Sequence, residues 1–153
     1  MLGEVSITRA ALLQFVRSHR YAVQSSVHLD GAPQSAVVGI AVSDDFEIVF
    51  DTIATSRKGQ NLRRCGQIAF VIGGLDEKDG RTVQYEGRAD EPTGPDRDRL
   101  IDLYLHVFPD GRERQQWPGL IYIRASPTWV RYSNYNVEPP EIREWAGDAL
   151  IVS

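Results

Sequence analysis

Tyr21-Ala22-Val23-Gln24-Ser25-Ser26-Val27-His28-Leu29-Asp30-Gly31-Ala32-Pro33-Gln34-Ser35-Ala36-Val37-Val38-Gly39-Ile40-Ala41-Val42-Ser43-Asp44-Asp45-Phe46-Glu47-Ile48-Val49-Phe50 is the stretch that decides the fold. Tyr21, Val23, Ser25, Val27 and Leu29 recur at period two, the spacing of a strand, and Asp30-Gly31 supplies a short hairpin turn. From Gln34 to Ser43 apolar residues occupy both parities. Ala36, Val38, Ile40 and Val42 alternate there with Val37, Gly39 and Ala41, which predicts a strand covered on both faces. Asp44-Asp45 then turns the chain into Phe46, Ile48 and Phe50, so three sequential antiparallel strands form a meander.

The same patterns continue on either side. Ser6 or Thr8 can cap a helix carrying Ala11, Leu12, Phe15 and Val16 on one side, expected to end before His19 and to cover a barrel opening. Ser56 to Arg64 reads as a short helix capped by Ser56 and ended near Gly66. Ile68, Phe70 and Ile72 return to the strand period, Asp79-Gly80 turns, and Thr82 to Ala89 alternates again through Val83, Tyr85 and Gly87. Leu100, Ile101, Tyr104, Val107 and Phe108 form a helical stripe within Asp96 to Phe108, read as core. Leu120 to Arg124 and Trp129 to Tyr132 are read as two strands joined through Ser126-Pro127. Six to seven strands with a few short helices make the chain mainly β, a closed antiparallel barrel rather than a parallel doubly wound sheet. One domain is expected over residues 1–135. Residues 136–153, with Pro139-Pro140 and Trp145, are read as a tail that packs on a dimer partner.

Composition narrows the function. With 42% hydrophobic and 25% charged residues the 153-residue chain is an ordinary globular one, able to bury a core. Its longest apolar stretch, Ala36 to Val42, falls far short of the roughly 20 residues that cross a bilayer, so no membrane partner is expected. Met1-Leu2-Gly3-Glu4 lacks the basic region and apolar run of an export signal, which places the protein in the cytoplasm. The net charge of −4 argues against nucleic acid, whose affinity depends on clustered Lys and Arg. Cys65 is the single cysteine and is read as structural; His19, His28 and His106 lack ligand-like spacing, so no metal site is expected. Neither a nucleophile elbow nor a phosphate-binding P-loop occurs.

Arg57, Lys58, Arg63 and Arg64 nevertheless form a basic cluster in this acidic chain. Ser56 and the free amides of the first helical turn can donate to an anion, the helix dipole favours negative charge there, and Arg57 and Lys58 add full charges. Arg grips two phosphate oxygens at once, whereas Lys acts as a point charge. A solvated helix face is the alternative reading of the same residues.

In their order and spacing, Gly31-Ala32-Pro33, Phe50-Asp51-Thr52, Ser56-Arg57-Lys58, Asn61-Leu62 and Ile68-Ala69-Phe70 resemble the core of the pyridoxamine 5'-phosphate oxidase family. Weaker likeness continues through Arg81-Thr82-Val83, Gly87 and Tyr104-Leu105-His106. The resemblance implies a split-barrel homodimer whose interface holds FMN, acting as an oxidoreductase on a small-molecule substrate or electron donor. It implies that Ser56, Arg57 and Lys58 hold the phosphate and that Asp51, Thr52 and Asn61 meet the cofactor. Ala36, Val37 and Val38 would lie along the isoalloxazine ring through their backbone, and Thr82 stands where the family has a flavin-contacting Gln. Related barrels bind the deazaflavin F420 or haem, and a non-catalytic store or sensor is the other reading. Substrate-side cations are missing: Ala36, Ala41 and Phe108 replace Arg, Lys and Arg of the oxidase, and Trp129-Val130-Arg131-Tyr132 ends the barrel without its C-terminal Arg-Leu-His. A true vitamin B6 oxidase is therefore not expected. No catalytic residue is assigned; His106, Tyr85 and Trp129 are read as packing residues.

Overall fold

The computed structural model describes residues 6–152. Residues 1–4, read above for an export signal, lie outside the described residues. Thr8, rather than Ser6, caps the first helix, α1 (Arg9–Arg17): its hydroxyl accepts from the Ala11 amide at 3.1 Å. The hairpin follows as β1 (Tyr21–Val27) and β2 (Pro33–Gly39), then β3 (Ala41–Val42) and β4 (Ile48–Ile53). Next come α2 (Arg57–Arg64), β5 (Gln67–Gly73), β6 (Arg81–Asp90), α3 (Gly94–Val107) and a single turn α4 (Gly111–Arg114). β7 (Leu120–Asn134), β8 (Glu141–Ala146) and a 3-10 turn over Gly147–Leu150 end the chain.

Every pairing is antiparallel, in the order β2-β1-β5-β6-β7-β4-β3, with β8 added on β7. The two ends of that order, β2 and β3, are consecutive in the chain and joined through Ile40. The sheet therefore curls back on itself, and one bent strand serves both β1 and β4. That is the split barrel expected, and the meander survives with its middle strand divided.

Two cores explain the burial. Leu12, Phe15 and Val16 of α1 pack with Ile48, Phe50, Phe70, Val83, Ile123 and other inward residues of the barrel. On the outside of the barrel, Leu100, Ile101, Tyr104, Leu105 and Phe108 of the α3 segment pack with Ala41, Val49 and Tyr122. Ile40, Ala41 and Val42 are each almost wholly buried because α3 covers the face that the barrel interior does not. Val37 is 66% exposed, so the expectation of a strand covered on both faces fails in the single chain for its first half.

Other readings are corrected by tertiary context. Phe46 is not a strand residue; it sits in the turn at φ 61 with its ring buried in the barrel. The two strands read at 120–124 and 129–132 are one strand, β7. Its pairing with β6 slips at Glu86/Gly87, where Trp129 faces Glu86 and Pro127 faces Gly87, leaving Thr128 as an extra residue. Pro127, which has no N–H to donate, is accommodated in this bulge. Gly87 is required there, since a Cβ would lie 2.5 Å from the Ser126 carbonyl oxygen. Beyond residue 135 the chain adds β8 to the same sheet and buries Trp145 in the barrel core.

Tyr85 is structural, as expected. Its hydroxyl, inside the barrel, donates to the carbonyl oxygens of Phe46 (2.8 Å) and Ala125 (3.1 Å). Burial pushes its pKa well up, with the Glu47 charge adding to the effect. The neutral phenol is thus favoured by folding, and its contribution is intact below about pH 10, the value of an unfolded tyrosine. Above that the unfolded chain releases the proton first, so stability falls as pH rises. Urea unfolding of Tyr85→Phe is expected to show a loss of about 1–2 kcal/mol at neutral pH, from the buried hydroxyl hydrogen bond removed, and a shallower alkaline decline than the parent. An equally steep decline would assign the alkaline loss to other groups.

Candidate anion and cofactor site

The site grows from the passage between β4 and α2. Thr52 faces inward, and its hydroxyl lies 2.9 Å from that of Ser56. Ser56 caps α2 by accepting from the Gly59 amide at 3.1 Å, while its own amide donates to the Ile53 carbonyl at 2.9 Å. The amides of Arg57 and Lys58 then have no hydrogen-bond partner among the described residues. They are the donors that an oxyanion at a helix start would accept from.

Gly59 holds this turn against the strand. A Cβ on it would fall 2.7 Å from the Ile53 carbonyl oxygen and 2.8 Å from that of Ala54, both rigid backbone. Gly59→Ala must therefore push the helix start away from β4, although alanine is the better helix former. The expected result is a loss of about 1–3 kcal/mol in denaturant unfolding, in the range of overpacking changes, together with weakened anion binding. A variant more stable than the parent would mean that the contact is not tight.

On its inner side α2 rests on β1 through Asn61, which is 2% exposed. The Asn61 Nδ2 donates to Ser26 Oγ at 3.0 Å and to Gln34 Oε1 at 2.9 Å, tying α2 to β1 and β2 together. Beside this junction opens a cleft of about 500 Å³ lined by Gln24, Ser26, Gln34, Ala36, Arg57 and Lys58. A second hollow of about 530 Å³ shares Gln34 and Arg57 and continues past His28, Gln60 and Arg64.

Charge distinguishes this cleft from the hollows beside α1 and near Glu47. Arg63 is spent on Glu91 at 2.5 Å, and Arg64 donates to the Val27 carbonyl. Arg57 and Lys58 make no ion pair among the described residues. Hollows of similar size lie beside α1 and near Glu47, but their arginines are neutralised: Arg81 by Asp79 in the first, Arg99 and Arg124 by Glu47, Asp96 and Asp90 in the second. The Arg57 and Lys58 cleft keeps unspent positive charge, free helix amides and polar walls. Its floor also carries Gln24, 1% exposed, whose Oε1 has no hydrogen-bond partner among the described residues. Buried polar atoms without partners are rare and call for one. These residues fit a phosphate ester with a polar chain, which FMN is.

Of the residues singled out from the sequence, Ser56, Arg57, Lys58, Thr52, Asn61 and Ala36 come together here. Val38 does not: it is 7% exposed and belongs to the barrel core. Val37 projects from the opposite face. Asp51 points away from Thr52, as neighbours on a strand must, and its Oδ2 accepts from Arg114 Nε at 2.8 Å. Arg114 also donates to the Tyr104 hydroxyl at 2.9 Å, and the Tyr104 pKa is raised, by burial first and then by the Asp51 charge. Thr82 lies further along the sheet, its hydroxyl donating to the Gly73 carbonyl at 3.3 Å. Neither Asp51 nor Thr82 reaches the cleft within this chain. Ala41 and Phe108, two of the positions that depart from the oxidase, are core residues; the Phe108 ring fills the space where a Cβ on Gly39 would be. Sequence reading missed Gln24, Ser26 and Gln34. The available signal was a polar set at the second parity of β1, beneath a helix with an Asn.

The family model for pyridoxamine 5'-phosphate oxidase matches residues 8–134, which is most of the chain. The protein belongs to this family of split barrels. No curated protein matches the sequence. Among solved structures the chain is similar to a haem-binding protein from Mycobacterium smegmatis, with TM-score 0.81 and 14% identity over 96% of this chain. The chain spans only 61% of that protein. It is also similar to a conserved hypothetical protein from Mycobacterium tuberculosis, with TM-score 0.71 and 23% identity, covering 87% of this chain and 88% of the other. The haem storage protein HutZ from Vibrio cholerae gives TM-score 0.65 and 11% identity, covering 77% and 88%. At these identities the likeness is one of fold. No helix among the described residues is long and apolar enough to cross a membrane.

Proposed function

We propose that the protein binds FMN at the α2 cleft and acts as a flavin-dependent oxidoreductase toward a small molecule other than a vitamin B6 phosphate. The observation that carries this reading is the pair of cations without counter-ions, Arg57 and Lys58, at a capped helix start bordering a polar cleft. When bound, FMN supplies hydride or electron transfer. The chain's own residues hold it: Arg57, Lys58 and the two free amides take the phosphate, while Ser56 and Thr52 fix the turn that presents them. A homodimer is part of the proposal. Tyr21, Val37 and Val71, exposed by 59%, 66% and 43%, lie with Val23 on the outer face of β1, β2 and β5. Such a contiguous apolar patch suits a second copy of the chain.

Purified protein should be yellow with a flavin absorbance spectrum, release FMN on heating and scatter light as a dimer. Colourless protein that fails to retain added FMN would sink the reading, and a monomer with FMN still bound would remove the dimer from it.

Haem is the second reading, supported by the haem-binding relatives of the same fold and by His28 at the edge of the neighbouring hollow. Against it, the hollow beside His28 is lined mostly by polar and charged groups, among them Asp30, Gln34, Arg57, Gln60 and Arg64, where a macrocycle needs apolar walls. A Soret band on adding haem, lost in His28→Ala, would favour it over FMN.

A further inference from the structure

We infer that the hollow beside α1 is a second ligand site, which takes a small organic amine with an apolar body and a hydroxyl. It is separate from the α2 cleft, with which it shares no lining residue. At about 590 Å³ it falls within the roughly 300–1,000 Å³ of small-molecule sites. Elements far apart in the chain build it. α1 supplies Ala11, Gln14 and Phe15 as one wall, and β8 brings Glu141 to the other, across the ends of β6 and β7 where Arg81 and Tyr132 stand. Ile7 closes the side: its amide donates to Glu141 Oε1 at 2.6 Å, and its carbonyl accepts from Arg143.

The balance of charge selects the ligand class. Arg81 donates to both oxygens of Asp79, at 2.9 and 2.8 Å, and lies over the Phe15 ring at 5.0 Å, so its charge is answered. Arg143, the other cation at this end of the sheet, lies over the Trp145 ring at 4.5 Å and does not line the hollow. Glu141 makes no ion pair among the described residues, and its Oε2 has no hydrogen-bond partner there. A half-buried carboxylate in this position attracts an ammonium, whose N–H groups it accepts in charge-assisted bonds. A metal ion suits the hollow less well, since no three His, Cys, Asp or Glu side chains converge on one point among the described residues. Ile7, Ala11 and Phe15 offer apolar surface to the body of the ligand. Tyr132 is 4% exposed, sets its ring edge-on to Phe15 at 5.7 Å and lines the same hollow. Burial first, and then the Glu141 charge, push the Tyr132 pKa up. Its phenol therefore stays neutral and able to donate and accept, as a ligand hydroxyl requires.

The test is calorimetric titration of the whole chain with three probes of one shape: tyramine; tyrosol, in which a hydroxyl replaces the ammonium; and 4-hydroxyphenylacetate, in which a carboxylate does. Tyramine should bind the parent roughly 10- to 100-fold more tightly than tyrosol, the contribution of a charge-assisted hydrogen bond, and the acid should bind most weakly. Glu141→Gln keeps an acceptor for the Ile7 amide, so it should melt with the parent, yet it should bind tyramine and tyrosol equally. Ala11→Phe, on the exposed face of α1, adds a ring to the hollow without touching a charge and should abolish tyramine binding with the fold intact. Tyramine that fails to bind the parent, binds it no more tightly than tyrosol, or keeps its advantage in Glu141→Gln overturns the inference. Binding that survives Ala11→Phe overturns its assignment to this hollow.

Discussion

Arg57→Ala is expected to weaken FMN binding by roughly 10- to 100-fold while changing riboflavin affinity by less than about threefold, the difference being the phosphate alone. Arg57 is exposed, caps no strand and pairs with no carboxylate among the described residues, so its removal should leave the fold intact. Its guanidinium stands at the start of α2 beside two unpartnered amides, and a charge-assisted bond there contributes roughly 1.5–3 kcal/mol. Salt should weaken the parent's FMN affinity more than the variant's, because a partly exposed ion pair is screened. Equal losses for FMN and riboflavin would show that Arg57 does not clamp the phosphate and would move the site elsewhere. Lys58, half-buried on the same turn, should give a smaller loss, since it offers a point charge and no fork of donors.

The largest effect on stability is expected at Phe46. Its backbone is left-handed at φ 61, a conformation that costs a non-glycine residue about 1–2 kcal/mol. The fold keeps it because the ring is 1% exposed in the barrel core, lies under the Arg9 guanidinium at 5.1 Å, and offers its carbonyl to Tyr85. Phe46→Ala should lower the unfolding free energy by about 3–5 kcal/mol in urea titration. Phe46→Gly loses the same ring but relieves the backbone, so it should be no less stable than the alanine variant, the reverse of the usual order. A glycine variant clearly weaker than the alanine one would mean that the turn carries no strain.

Phe46 also shows how far periodicity can be read. It falls on the apolar parity of Ile48 and Phe50, and its burial was legible; its backbone was not, because the reversal at Asp44-Asp45 needs one more residue. Ser43 sets that length, since its carbonyl accepts from the Phe46 amide and its hydroxyl from the Glu47 amide. Ser126-Pro127 failed in the opposite sense. A proline ordinarily breaks a strand, but the Thr128 bulge absorbs it, and whether a bulge forms is settled by the partner strand. The C-terminal segment carried too weak an alternation to be read, and β8 forms because β7 leaves an edge for it.

For the site, the sequence by itself determined the local chemistry: the Ser56 cap, the helix behind it, and Arg57 and Lys58 at its start. Capping and helix electrostatics act within one turn of chain, so residue order is enough to fix them. Which face of each strand meets the site was decided only by the tertiary structure. Period two in β1 announces two faces without saying which is inward. The barrel buries Ala22, Gln24 and Ser26, because α2 docks there and Asn61 needs Ser26. Asp51, turned from Thr52 by strand alternation, meets Arg114, 63 residues later, and Thr82 was carried off by its register with Gly73. Those outcomes depend on which distant side chains and strands arrive alongside, and no local pattern contains that information.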